Sequence, residues 1–301
     1  MFPLQTNYPK SCAHYSTSAR SHFALLLTAV LAVVISVSTA NVQAQGVGDL
    51  LVVPTRIVFE GSKRTAEVTL LNIGAKPATY RISFIHQKMT EEGKLEEILK
   101  PDDKPQYVDD LVRFTPRQVL LEPNVSQVIR LQLRLPEELK TGEYRSHLLL
   151  RAVPVADSPP VAVAPGAPEQ GLSIKITPIY GVSIPVIVRH GKTSATASLS
   201  NLKLETDDKG VVMVKGRMNR EGNRSLYGDM QFWFAPNGGA SKQIGLAGGV
   251  AIYTSNTIRS FAFRVTPPAG GELRKGTLRV FYRQQADEGG ALIAESTLTL
   301  P

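Results

Sequence analysis

Nucleophilic, metal-dependent and phosphate chemistries each need particular residues at particular spacings, and this 301-residue chain offers few of them. Beyond residue 44 its histidines are His86, His147 and His190, on separate segments, with no H-E-x-x-H pair to hold zinc. A single cysteine, Cys12, excludes both a disulfide framework and a Cys-rich zinc module. There is no G-x-S-x-G elbow to present a serine nucleophile. Gly191-Lys192-Thr193 lacks the glycine that a phosphate loop places five positions earlier, where Val186 stands. Asp109 and Asp110 are adjacent carboxylates in a charged stretch with no sign of a cleft, and His147 shares its strand face with Arg145 and Arg151, which reads as surface. These residues predict a protein that is not an enzyme and that uses no cofactor, no metal and no small-molecule substrate.

The segments that would position any site begin after an address. Residues 1–22 carry Lys10 and Arg20 and no acid, residues 23–37 form an apolar run broken only by Thr28 and Ser36, and Val42-Gln43-Ala44 offers small residues where a signal peptidase reads. At about 15 residues the run is short for a membrane span. The expectation is a cleaved signal peptide over 1–44, export, and a mature chain without a thiol. Hydrophobic residues at 43% and charged residues at 20% exclude a disordered or collagen-like chain. The formal charge of +8 would fit nucleic acid in a cytoplasmic protein, but export argues against that partner. It fits scattered surface charge, or a site for an anionic group.

Period-2 alternation recurs between turn signals. Ala78, Tyr80, Ile82 and Phe84 share one face, as do Ile129, Leu131, Leu133 and Leu135, then Met230, Phe232 and Phe234, then Leu278, Val280 and Tyr282. Asn72-Ile73-Gly74, Pro123-Asn124, Pro236-Asn237-Gly238-Gly239 and Pro267-Pro268 supply turns, and Pro136–Lys140 reads as one short helical turn. Short strands at this spacing predict an all-β chain of antiparallel sandwiches. A polar break at Arg189-His190-Gly191-Lys192 divides it into domains of 45–189 and 190–301, each large enough for one core.

Two segments depart from the alternation. Glu91–Asp110 is charged and contains proline, and reads as a solvated loop; Pro154–Gln170 is rich in Pro and Ala and reads as extended. After it, apolar residues occupy every second position from Leu172 to Val188, far longer than the usual five or six residues of a strand. The run can be an ordinary core strand, or an exposed edge that completes another protein's sheet.

Three stretches carry a family resemblance. Pro54-Thr55-Arg56-Ile57-Val58-Phe59-Glu60-Gly61 resembles the first strand of PapD-like periplasmic pilus-assembly chaperones. Leu121-Glu122-Pro123-Asn124-Val125-Ser126-Gln127-Val128-Ile129-Arg130-Leu131 resembles their L-x-P-G-x-x-Q-x-x-R stretch, with Asn124 where glycine is usual. Both residue types tolerate the left-handed turn conformation. Tyr144–Pro154 resembles the family's sixth strand. The resemblance covers roughly residues 48–190; beyond that it rests on strand pattern and length. It implies two Ig-like β-sandwich domains and a periplasmic chaperone for pilus or fimbrial subunits that lack a strand. Such a chaperone caps its client by donor-strand complementation and passes it to an outer-membrane usher.

The same resemblance implies site residues. Arg56 matches the family's anchor for the subunit's C-terminal carboxylate, and an arginine fork suits that group. Leu172, Ile174, Ile176 and Pro178 match the part of the long donor strand, 172–188, that fills the subunit's groove. The family's second anchor, a lysine near the interdomain end of that strand, has no counterpart: Tyr180-Gly181-Val182-Ser183 stand there, and Lys175 lies too early. That departure points to a divergent branch of archaic or spore-coat type. The alternative is an exported β-sandwich component of a surface fibre or adhesin, which would need an N-terminal donor extension, whereas only Gln45–Asp49 precede the first strand.

Overall fold

A computed structural model of the chain describes residues 49–99, 106–154, 179–268 and 273–301. Residues 1–44, most of the Pro/Ala-rich segment and Leu172, Ile174, Ile176 and Pro178 lie outside them. Strand follows strand: β1 Leu50–Val53, β2 Ile57–Phe59, β3 Thr65–Asn72, β4 Ala78–Ile85, β5 Gln87–Met89, β6 Leu95–Glu97, β7 Val112–Thr115, β8 Gln118–Leu121, β9 Ser126–Leu133, β10 Gly142–Val153 and β11 Gly181–His190. Then come β12 Ala195–Thr206, β13 Val212–Gly222, β14 Leu226–Pro236, β15 Lys242–Ile252, β16 Ile258–Arg264, β17 Gly276–Arg283 and β18 Leu292–Leu300, with a 3-10 turn at Ala286–Glu288.

In the first sandwich one sheet runs β1-β3-β9-β7 and the other β2-β11-β10-β4-β8. The first is the A-B-E-D order of an immunoglobulin sandwich, and β11-β10-β4 is its G-F-C order. The second sandwich pairs β12-β13-β16 with β15-β14-β17-β18, the same arrangement with its fourth strand moved to the other sheet. The chain is therefore all-β, two Ig-like sandwiches in sequence, with β11 ending at His190 and β12 starting at Ala195.

Alternation decides which side chains meet between the sheets. Tyr80 and Ile82 of β4, Ile129 and Leu131 of β9, Leu148 and Leu150 of β10 and Ile184, Val186 and Val188 of β11 are all buried in the first core. Val214, Met218, Phe232, Val280 and Tyr282 fill the second. Each large side chain so buried contributes roughly 1.5–3 kcal/mol. Asn72 shows how a turn is fixed: its amide donates to the Lys76 and Leu121 carbonyls and its Oδ1 accepts from Gly74 N–H. Asn124 adopts φ 60°, the conformation for which glycine is the usual choice.

Three expectations need correction. The stretch from Glu91 to Asp110 is not simply a solvated loop. Its start belongs to a β5–β6 hairpin, and Val108 near its end is a core residue. A hydrogen bond from Asp109's neighbour Ser146 to the Asp109 carboxylate, 2.6 Å, ties the segment down. His147 is not a surface residue but is buried against the second sandwich. Pro136–Lys140 forms a turn closed by Leu139 N–H on the Pro136 carbonyl, with no helix.

Candidate functional site

Arg56 lies where the chain crosses from β1 in one sheet to β2 in the other. Strand β2 joins its sheet parallel to β11, with Ile57 opposite Val186 and Phe59 opposite Val188. Along its other side β11 pairs with β10 through its full length, from Gly181 opposite Arg151 to His190 opposite Gly142. The edge of β11 from Gly181 to Pro185 therefore has no strand beside it among the described residues, and Ile179 and Tyr180, just before it, are exposed. The open edge ends where Arg56 begins.

The Arg56 side chain is only 11% exposed. Its guanidinium lies 4.3 Å from the centroid of the Tyr227 ring of β14, and Nη1 donates to Glu288 Oε1 at 2.9 Å. Both contacts come from the second sandwich, so Arg56 sits in the cleft between the two. Burial lowers its pKa, Glu288 opposes that, and the neighbouring cations Arg189 and Arg145 add to it.

Behind Arg56 stands a buried charge network. Glu143 of β10 has a fully buried carboxylate bound by Arg145 Nη2 at 2.6 Å and by Arg189 Nε at 3.1 Å, and it accepts the N–H and hydroxyl of Ser225 at 3.0 and 2.8 Å. Arg189 reaches on to Glu60, which Arg224 also meets. Burial alone would raise the Glu143 pKa; Arg145, Ser225 and Arg189 outweigh it and bring it down to about 2. Next to it the Arg145 guanidinium stacks 3.5 Å over the Tyr253 ring, and Tyr253 Oη is 3.0 Å from His147 Nε2. Burial, then Arg145 and His86, push the His147 pKa down to about 4.

A cavity of about 340 Å³ opens between these groups. Arg56, Arg145 and Arg259 line it with Tyr227 and Tyr253, and no acid does so among the described residues. Arg259 donates to the Ala251 carbonyl, while its buried Nε and that of Arg145 have no hydrogen-bond partner among the described residues. Met89, Gly93 and Leu95 of the hairpin form one wall. The hairpin springs from the first sandwich and docks on the second. Ser260 of β16 donates its N–H to the Glu91 carbonyl at 2.7 Å and its hydroxyl to the Glu91 carboxylate at 3.0 Å, and Asn256 donates to the Met89 carbonyl at 3.1 Å. Three arginines and apolar walls in a desolvated cleft can bind a carboxylate or similar anion at the end of an apolar chain. No group of three or more His, Cys, Asp or Glu side chains among the described residues could hold a metal ion.

Of the sequence-derived site residues, only Arg56 falls within the described residues; Leu172, Ile174, Ile176 and Pro178 lie outside them. Sequence reasoning missed Glu143, Arg145 and Arg259. Glu143 and Arg189 sit opposite each other in the β10–β11 register, a pairing set by the fold and not announced by either strand's own sequence.

No protein-family model matches the chain, and no curated protein matches it. Solved structures do align with it over most of both chains. The YadV chaperone structure aligns at 13% identity and a TM-score of 0.43, over 84% of this chain and 100% of that one. A structure of Salmonella enterica SafA pilin in complex with the SafB chaperone aligns at 13% and 0.40, over 85% and 99%. The CsuC–CsuE chaperone–tip adhesion subunit pre-assembly complex, from archaic chaperone-usher Csu pili of Acinetobacter baumannii, aligns at 10% and 0.39, over 83% and 97%.

Proposed function

We propose that this chain is an exported, periplasmic chaperone for pilus or fimbrial subunits that lack one strand. It caps the subunit by donor-strand complementation and delivers it to an outer-membrane usher. The observation that carries this reading is the open edge of β11 leading into Arg56. A client strand lying in line with β2, and so parallel to β11, would run its backbone along residues up to Pro185 and end at Arg56. Its C-terminal carboxylate would meet a buried guanidinium with Arg145 beside it. Main-chain hydrogen bonds to the open edge would supply affinity, and alternate side chains would select the groove. Leu172, Ile174, Ile176 and Pro178 continue the alternation of β11 and would fill that groove, contributing roughly 6–12 kcal/mol before ordering costs. The motif resemblance at Arg56, at Leu121–Leu131 and at Tyr144–Pro154 supports the same reading. No nucleotide is required, since the folding free energy still stored in the capped subunit drives release into the fibre.

The test is affinity purification of the tagged chain from periplasmic extract. A small β subunit should co-purify with the wild type. Arg56→Ala should weaken that capture by about 2–5 kcal/mol, the cost of leaving a desolvated carboxylate unpaired. N-terminal sequencing of the same material should read from Gln45. Recovery of the chain in high-mass surface fibres, with no captured subunit, would assign it instead to the fibre.

A further inference from the structure

Arg56 already holds a carboxylate. Its Nη1 pairs with Glu288 Oε1 at 2.9 Å, and among the described residues no other acid bonds to it. Glu143, the other carboxylate close by, is committed to Arg145, Arg189 and Ser225. The two partners are unequal in setting: the Arg56 side chain is 11% exposed, whereas that of Glu288 is 42% exposed. Glu288 ends a one-turn 3-10 segment between β17 and β18, followed by Gly289 at φ 102° and Gly290 at φ 65°. The arginine is fixed on the first sandwich by the start of β2 and by the Tyr227 ring. The glutamate is carried on a short turn of the second that runs into two glycines and has no buried residue.

We propose that Glu288 is a resident competitor for the anchor: it occupies Nη1 of Arg56 while no client is bound and is displaced from it by the client's C-terminal carboxylate. The inference rests on the anchor reading given above. A buried guanidinium surrounded by Arg145 and Arg189 needs an anion in the free protein, and Glu288 supplies one from within the chain. Glu288 holds Nη1 by a single bond, so a client carboxylate that takes the same N–H must displace it. Client binding is then an exchange of one carboxylate for another. Its net gain is smaller than the gross strength of the pair, which favours release once the client finds its next strand. The exposed side of an ion pair contributes little, so the competitor lowers affinity without closing the site.

The experiment uses the processed full chain and a defined probe, the acetylated tetrapeptide Thr-Leu-Thr-Val with a free C-terminal carboxylate, beside the same peptide amidated. Isothermal titration compares the wild type with Glu288→Gln and Arg56→Ala, each first checked by thermal melting. The expected result is that Glu288→Gln binds the free acid about three- to tenfold more tightly than the wild type does, that the amide gains nothing, and that Arg56→Ala no longer distinguishes the two peptides. If the free acid is preferred through Arg56 but Glu288→Gln binds it no more tightly, the competitor is overturned while the anchor stands. If wild type and Glu288→Gln both treat acid and amide alike, the anchor reading fails and takes the competitor with it.

Discussion

Ser225 of the second sandwich donates both its backbone N–H and its hydroxyl to one carboxylate oxygen of Glu143 in the first, at 3.0 and 2.8 Å. The same carboxylate pairs with Arg145 and Arg189, so one buried charge ties the two sandwiches together and holds the cations behind Arg56 in place. Removing it should be costly, because the largely buried Arg145 would lose its carboxylate partner and Arg189 would keep only Glu60. Glu143→Ala should destabilise the chain by about 3–5 kcal/mol in urea unfolding. The pH dependence has a definite sign. The folded pKa, about 2, lies below the ordinary glutamate value of 4.5, so the stabilisation is complete above about 4.5 and is lost as pH falls toward 2. It should amount to about 3 kcal/mol, and Glu143→Gln should remove most of that acid-limb loss. An unchanged acid limb would show that Glu143 is not ionised in the folded chain.

His147 should act in a separate and higher window. Its folded pKa, about 4, lies below the unfolded 6.5, so between these values the unfolded chain takes up a proton that the folded chain refuses. Stability should therefore fall as pH drops from about 6.5 to about 4, by an amount on the order of 3 kcal/mol at most. His147→Gln keeps a polar group near Tyr253 Oη and does not titrate. The variant should flatten the stability profile between pH 7 and pH 5, a difference that denaturant midpoints at those two pH values would record.

The hairpin that walls the cavity offers a third test. Gly93 at its tip has φ +81°, and a Cβ there would collide with the Arg259 guanidinium. Gly93→Ala should cost about 1–2 kcal/mol of hairpin docking while leaving both cores intact. The Ser260 N–H, whose acceptor is the Glu91 carbonyl, is the natural reporter. Hydrogen exchange at Ser260 should become about tenfold faster or more, with exchange in β10 and β14 unchanged. Equal protection at Ser260 in both proteins would mean that the hairpin does not depend on that glycine.

These interdomain features were the part least legible in the sequence. Alternation reports which face of a strand meets its own core, and it located Tyr80, Ile129, Phe232 and Val280 because each is buried by the opposing sheet of its own sandwich. The other face of β10 obeys a different rule. Arg145 and His147 are covered by Tyr253, more than a hundred residues away, while Arg151 on the same face is exposed. One charged alternation thus reads as surface along its whole length although one end is buried by another domain. Glu91 misleads in the same way: a charged residue that reads as solvated docks on Ser260 through both its main-chain carbonyl and its carboxylate. Arg56 was legible only through its surrounding motif, and its partner Glu288 lies 232 positions away with no local signal.

The last prediction separates the two halves of the long alternating run. Ile184 of β11 is 2% exposed and packs in the first core. Ile184→Asp buries an unpaired carboxylate there, so the chain should fail to fold or lose more than about 4 kcal/mol. If Ile174 serves a client groove, as proposed, Ile174→Asp should leave the melting temperature nearly unchanged. It should nevertheless abolish client capture, because the client's apolar pocket gives a carboxylate no partner. Asp at the neighbouring Ile176 should behave in the same way, and Ser183→Asp, on the opposite face of β11, serves as a charge control. Thermal melts of the Ile174 and Ile184 variants, run beside a pull-down of the client, supply the comparison. Severe destabilisation by both would make Ile174 an ordinary core residue and remove the donor role from this strand. Normal capture by a well-folded Ile174→Asp would remove it as well, since a groove that accepts a charge at that position is not being filled by it.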